Sequence, residues 1–170
     1  RLMGRFADTI FVTFPETLAY FPGNGVLSGY PLRKSIRRVT REEALQKIDF
    51  HPPENRTIIF VFGGSQGSRN INRALVDALG PLIPYRDSLC IVHGTGLSER
   101  KEYHAAEDTE ERLRRTYSED QIREIETFYI RRPFFYNIEY IYALCDLVVA
   151  RAGAGSLNEI SAMGLPSLII

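Results

Sequence analysis

Residues 57–79 read TIIFVFGGSQGSRNINRALVDAL, and the way this stretch folds decides the architecture. Ile58, Ile59, Phe60, Val61 and Phe62 form an unbroken apolar run, the pattern of a parallel strand buried on both faces. The run stops at Gly63-Gly64-Ser65-Gln66-Gly67-Ser68. Beyond the polar start Ser68-Arg69-Asn70, the residues Ile71, Leu75, Val76 and Leu79 recur at helical spacing. A strand, a glycine turn and a helix in succession aim unpaired backbone N–H groups at an anion, and glycines let a phosphate approach the main chain. The turn has no Lys-Ser or Lys-Thr ending and does not spell G-x-G-x-x-G. Taken alone, it reads either as a phosphate seat above residues 63–68 or as a tight turn that binds nothing.

A second stretch repeats the pattern. Residues 146–170 read DLVVARAGAGSLNEISAMGLPSLII. Leu147-Val148-Val149-Ala150 is another buried-type strand, and Arg151-Ala152-Gly153-Ala154-Gly155 is a second small-residue turn. Ser156 is spaced from Glu159 as in a capping box, so the helix is expected to start at Ser156. Gly164 is placed to end it, Pro166 to stop it, and residues 167–170 to begin one more strand. Two glycine turns at the carboxyl ends of two strands mark the place where open α/β sheets bind ligands.

Composition narrows the class. The 170 residues are 44% hydrophobic and 25% charged, an ordinary globular balance with enough chain for a proper core. A formal net charge of +0 gives no electrostatic reason to expect nucleic acid. No apolar run is long enough to span a bilayer. Cys90 and Cys145 lie in or beside apolar segments, which reads as buried thiols in a reducing compartment, the cytoplasm. No Cys/His group has metal-ligand spacing.

The motifs resemble a family. Phe62-Gly63-Gly64-Ser65-Gln66-Gly67-Ser68, with Asn72 following, is similar to the G-G-S-Q-G-[AS] signature of the bacterial MurG enzymes. Arg151-Ala152-Gly153-Ala154, Glu159-Ile160 and Gly164-Leu165-Pro166 resemble its R-[AS]-G-A-x-[ST]-x-x-E-I-x-x-x-G-x-P segment. Phe14-Pro15-Glu16, Tyr20-Phe21-Pro22 and Gly29-Tyr30-Pro31-Leu32-Arg33 are similar to its F-P … G-N-P-[VI]-R. The resemblance implies an α/β, Rossmann-like parallel sheet forming one half of a GT-B type two-domain glycosyltransferase. Residues 1–30 would be the end of the acceptor-binding domain and the hinge, and residues 31–170 the UDP-sugar-binding domain. The open ends, Arg1 without a preceding Met and Ile170 inside an apolar run, are expected to be cut from a longer chain. The activity implied is inverting transfer of N-acetylglucosamine from its UDP donor to lipid I, making lipid II for peptidoglycan at the cytoplasmic face of the cell membrane.

The same resemblance assigns residues. Arg33 would reach the donor phosphates, although by residue type alone it is one of a solvated basic group with Lys34, Arg37, Arg38 and Arg41. Ser65, Gln66 and Gly67 would hold diphosphate or sugar, and Ala154, Gly155 and Ser156 the α-phosphate. Glu159 would accept the ribose hydroxyls, or else serve only as the capping partner of Ser156. Phe135 and Ile138 would wall the uracil, in a segment where many relatives carry a pair of acids that is absent here. No catalytic residue is expected on this chain, because the glycine-rich loop bearing the family's proposed catalytic histidine has no counterpart in it; no cofactor is expected, and no metal, because helix N-termini and Arg33 would take a cation's role and no D-x-D motif flanks the site. The chain alone should therefore be inactive. Two alternatives stay open: another GT-B nucleotide-sugar transferase, or a non-catalytic donor-binding subunit working with a partner chain.

The remaining segments are expected as follows. Residues 9–14 form a strand, and Thr40 with Glu43 makes a capping box for a short helix through about Lys47. Four parallel strands lie at 57–62, 89–93, 128–131 and 147–150. His93 ends one of them as a satisfied polar group or pocket wall rather than a base. Residues 98–125, dense in mixed charge, form a solvated helical excursion with no site in it.

Overall fold

The computed structural model describes residues 3–100 and 102–170. The chain forms two compact units, Arg1–Lys34 and Ser35–Ile170. The first holds strands β1 (Ile10–Val12) and β2 (Gly25–Leu27), paired in parallel across a 3₁₀ segment at Pro15–Tyr20. The expected strand is there but short, because the chain turns away to place Pro15 in the first turn of the 3₁₀ segment. Asn24 ties the chain before β1 to this pair, donating from Nδ2 to the Ala7 carbonyl at 3.0 Å.

The second unit opens with helix α1 (Arg41–Lys47). Thr40 caps it by accepting the Glu43 N–H at 3.1 Å, while the Glu43 carboxylate pairs with Arg37 at 2.6 Å instead of closing the box. Strand β3 (Thr57–Phe62), helix α2 (Arg69–Leu82) and strand β4 (Leu89–Gly94) follow. A small hairpin, β5 (Glu99–Arg100) and β6 (Tyr103–His104), leads into helices α3 (Ala105–Thr116) and α4 (Glu119–Glu126). Strand β7 (Tyr129–Arg132), helix α5 (Ile138–Leu144), strand β8 (Leu147–Ala150), helix α6 (Ala154–Met163) and strand β9 (Ser167–Ile169) complete it. Strand β7 starts one residue later than expected because Phe128 still bonds back to the Ile125 carbonyl at the end of α4.

The five strands form one sheet in the order β7-β4-β3-β8-β9, every pair parallel. The side-chain period of two divides each strand between two cores. Ile58, Phe60, Phe62, Cys90, Val92, Val148 and Ala150 pack with Tyr142 of α5 and Ile160 of α6. Val61 and Ile91 pack with Val76 and Leu79 of α2, Leu113 of α3 and Ile125 of α4. Helices therefore cover both faces, and the buried runs of the sequence are explained. The chain moves from β3 outward to β4 and β7, then returns to lay β8 and β9 on the other side. This reversal is a topological switch point, and it lies between β3 and β8.

Past β4 the carboxyl edge of the sheet is held by a buried polar network. Asn72 of α2 is fully buried, as is His93 of β4. The Asn72 side-chain nitrogen donates to the Thr95 carbonyl at 2.7 Å and to the Tyr103 hydroxyl at 2.8 Å. A carbonyl can only accept, so the amide oxygen is the atom facing His93 Nε2 at 3.1 Å. His93 Nε2 therefore carries the proton, and the Tyr129 hydroxyl donates to Nδ1 at 2.7 Å. Every partner of the ring is neutral, and the ring is a satisfied core histidine. Burial, assisted by the nearby Arg131 charge, lowers its pKa from 6.5 to about 3.

This sets a pH dependence. Below pH 6.5 the unfolded chain takes up a proton at His93 that the native chain refuses, so stability is complete above 6.5 and lost as pH falls toward 3. Urea unfolding should show roughly 2 kcal/mol lost through His93 between pH 8 and pH 5. The loss should shrink sharply in His93→Gln; an unchanged pH profile in that variant would contradict the assignment.

Candidate functional site

Two turns leave the sheet side by side at the switch point. Phe62 pairs with Ala150 as the last residue of each strand, so residues 63 and 151 emerge next to one another. The 63–68 turn is built on glycine for steric reasons. Gly67 has φ of +74°, and a Cβ there would lie 2.0 Å from the Thr95 carbonyl oxygen. Gly96, next along the chain, is as close, its own added Cβ falling 2.2 Å from the Gly67 nitrogen. The Leu97 N–H donates to the Ser65 carbonyl at 2.9 Å, and Gly96 N–H to the Pro133 carbonyl at 2.8 Å. The carboxyl ends of β3, β4 and β7 are thus joined backbone to backbone. Ser65 and Gln66 are left exposed on top of this platform, with Gly67 half-buried.

The second turn departs from expectation. Helix α6 starts at Ala154 with extended Gly153 as its cap, and Ser156 lies inside the first turn without capping it. Its first helical bond runs from Leu157 N–H to the Gly153 carbonyl at 2.9 Å. The N–H groups of Ala154, Gly155 and Ser156 precede that bond and form the donor end of a ten-residue helix. The capping-box reading of Glu159 is therefore overturned. Its carboxylate, one turn further in, accepts the hydroxyl of buried Tyr142 at 3.2 Å. Gly164 closes the helix in the left-handed conformation, as its position suggested.

Other residues fall elsewhere. Phe135, just before α5, and Ile138, its first residue, are half-buried, with Phe135 edge-on to Phe60 at 5.6 Å. Arg33 is exposed and belongs to the first unit. Among the described residues no group of three His, Cys, Asp or Glu is placed to hold a metal ion.

The charged segment needs a correction. Its helices α3 and α4 do lie on the surface, and α3 is tied to α2 by exposed pairs such as Arg112–Asp77 at 2.6 Å. Its opening hairpin, however, borders the glycine turn. A cavity of about 850 Å³ is lined by residues 66–71, Ser98, Arg100, Glu102, Tyr103, Arg151 and Ile170, the last residue of the sequence. Asn72, which holds Tyr103 there, carried a sequence signal only as part of the first motif. Tyr103, Arg69 and Arg100 carried none.

The close approach at Gly67 is testable. Gly64 also has positive φ, +90°, but an added Cβ would meet nothing within 4 Å. Gly64→Ala should cost about 1–2 kcal/mol, the backbone penalty alone. Gly67→Ala should cost clearly more in urea unfolding, because backbone rather than a flexible side chain blocks the methyl. Equal losses in the two variants would show that the turn can open.

Comparison with known proteins agrees with this geometry. The glycosyltransferase family 28 C-terminal domain model matches residues 58–170. The UDP-N-acetylglucosamine–N-acetylmuramyl-(pentapeptide) pyrophosphoryl-undecaprenol N-acetylglucosamine transferase of Thermodesulfovibrio yellowstonii is 33% identical over 171 residues, covering 100% of this chain and 42% of its own length. The enzyme of the same name from an Anaeromyxobacter strain is 34% identical over 170 residues, covering 100% of this chain and 39% of its own. The chain thus spans about two-fifths of the relatives it matches. The crystal structure of Acinetobacter baumannii MurG superposes with a TM-score of 0.56 at 23% identity, over 99% of this chain and 41% of that one, a likeness of fold. The parallel sheet with helices on both faces is the one expected for half of a GT-B glycosyltransferase. With its glycine turns inside the matched span, the chain belongs to the glycosyltransferase family 28 C-terminal domain family.

Proposed function

We propose that this chain is the donor-binding part of an N-acetylglucosaminyltransferase, which moves N-acetylglucosamine with inversion from UDP to lipid I and forms lipid II for peptidoglycan. The names of its relatives supply the substrates, and one observation carries the site. Two anion-suited backbone arrays, the 63–68 turn and the N–H groups of Ala154, Gly155 and Ser156, stand together at the switch point.

In this reading the α-phosphate lies on the start of α6, where the free N–H groups and the helix dipole favour negative charge. The β-phosphate and sugar lie against Ser65, Gln66 and Gly67. Glu159 accepts the ribose hydroxyls, with Tyr142 orienting its carboxylate. Phe135 and Ile138 wall the uracil, and Arg33 enters the reading through the motif resemblance alone. As the glycosidic bond breaks, charge builds on the departing diphosphate, and donors fixed beforehand stabilise it without reorganising. Deprotonation of the acceptor hydroxyl falls to residues outside this chain, so no group here is given the role of base. Among the described residues no helix is long and apolar enough to cross a membrane. In this reading the lipid-linked acceptor is met peripherally, at the inner membrane face.

Glu159 offers the sharpest test. Glu159→Ala removes two charge-assisted bonds and should weaken UDP binding by roughly 1.5–3 kcal/mol, about ten- to a hundred-and-fifty-fold. Glu159→Gln should cost less, since the amide keeps an oxygen. Tyr142→Phe removes the orienting hydroxyl and should fall between the unmodified protein and Glu159→Ala. In calorimetric titration the unmodified protein should prefer UDP over deoxyuridine diphosphate. Equal affinity for the two nucleotides would remove Glu159 from the ribose.

A further inference from the structure

The tyrosine of the small hairpin is tied to the first glycine turn through one buried amide. Tyr103 sits in β6, and its hydroxyl accepts an N–H of the Asn72 side chain at 2.8 Å. An amide nitrogen carries two N–H donors, so the other is directed at the Thr95 carbonyl, 2.7 Å away. That carbonyl oxygen is the atom packed against Gly67, where an added Cβ would lie 2.0 Å from it. The chain entering the hairpin makes a second connection, because Leu97 N–H donates to the Ser65 carbonyl at 2.9 Å. Ser65 and Gly67 are thus both held from residues 97–103, with exposed Gln66 between them. The hairpin is closed around its tyrosine. Ser98 Oγ donates to the Tyr103 carbonyl at 3.1 Å, Ala105 N–H donates to the Ser98 carbonyl at 2.9 Å, and the Arg69 guanidinium lies 4.8 Å over the ring. His93 and Thr95, which also bond to Asn72, belong to β4 and the turn after it; the Tyr103 hydroxyl brings the hairpin into the same network.

We propose that Tyr103 is a positioning residue for the donor diphosphate: its hydroxyl fixes Asn72, and through the Thr95 carbonyl it holds Gly67 and the 63–68 turn in the shape that receives the β-phosphate and sugar. The proposal rests on the donor-binding reading above. Tyr103 acts through Asn72 and is given no contact with the nucleotide, and no bond is made or broken at it. Holding the turn beforehand matters because donors already aimed at a developing charge stabilise it without reorganising. Removing the hydroxyl leaves one N–H of a fully buried amide without its acceptor, so the amide is free to turn and the Thr95 carbonyl to shift with it. The effect falls on one end of the nucleotide. The start of α6 and Glu159, which take the α-phosphate and ribose in that reading, are held by other bonds, from Leu157 N–H to the Gly153 carbonyl and from the Tyr142 hydroxyl to Glu159.

The test is calorimetric titration of UDP and of UMP, which lacks the β-phosphate, into the unmodified protein, Tyr103→Phe and Tyr117→Phe. Tyr117 is the control, since its hydroxyl accepts the Gly80 N–H and donates to the Val76 carbonyl, both at 2.8 Å, toward the other end of α2. Tyr103→Phe should weaken UDP by about fivefold, the worth of one buried hydrogen bond, and leave UMP unchanged. Tyr117→Phe should lower the unfolding temperature and leave both affinities unchanged. Equal weakening of UDP and UMP in Tyr103→Phe, or the same split between them in Tyr117→Phe, would overturn the proposal, because a general loosening would then explain the loss. Hydrogen exchange reads the same claim without any nucleotide. The N–H groups of Gly67, bonded to the Gly64 carbonyl at 2.9 Å, and of Leu97 should exchange about tenfold faster in Tyr103→Phe, while Leu157 N–H keeps its rate. Unchanged exchange at Gly67 would overturn the proposal as well. If UDP fails to bind the unmodified protein, the donor reading fails separately, and exchange at Gly67 still decides whether Tyr103 holds the turn.

Discussion

The structure depends on one contact between two pieces of bare backbone. Gly67, at φ of +74°, lies where a Cβ would fall 2.0 Å from the Thr95 carbonyl oxygen, and the neighbouring Gly96 is packed as closely against the Gly67 backbone. Gly67 and Gly96 carry no side chain and Thr95 meets Gly67 through its carbonyl, so the turns after β3 and β4 touch main chain to main chain. The Thr95 carbonyl on this contact is also the acceptor for Asn72, which reaches His93 and Tyr103. A single packed junction therefore fixes the start of α2, the end of β4 and the hairpin beyond it. The apolar cores hold the sheet together, and this junction determines what the sheet presents at its carboxyl edge.

That edge is suited to anions for reasons that need little side-chain charge. Strand order places β3 beside β8 with the chain reversing between them, so two turns and two helix starts open on one crevice. The N–H groups at the start of α6 supply partial positive charge that is fixed in direction. Full charges stand further out, on Arg69, Arg100 and Arg151. The buried histidine contributes none. Its pKa near 3 keeps it neutral, and its two nitrogens are committed to Asn72 and Tyr129. His93 is a neutral spacer in a polar interior, so the positive character of this edge comes from backbone dipoles and from the arginines.

The sheet was legible because its strands are short apolar runs that switch abruptly to glycine, and buried parallel strands leave no other trace in sequence. Strand β3 and strand β8 fall where the runs do, and β7 is displaced by one residue only because Phe128 finishes a helix turn. The start of α6 misled for a physical reason. Ser156 and Glu159 have the spacing of a capping box, but extended Gly153 caps the helix three residues earlier and the Tyr142 hydroxyl donates to the carboxylate. The cavity was hidden more deeply. Tyr103 sits among charges that read as a solvated face, and Asn72 occupies a helix position whose burial is affordable only because Thr95, Tyr103 and His93 satisfy it. Polar groups buried by tertiary partners have no periodicity to betray them.

The central claim is that a nucleotide diphosphate lies across the switch point, and amide chemical shifts during a UDP titration test it most directly. The largest shifts should fall on the backbone N–H groups of Ser65 and Gln66 and of Ala154, Gly155 and Ser156, and they should saturate together with one dissociation constant. Shifts confined to α3 and α4, or saturation of the two turns at different UDP concentrations, would contradict the account.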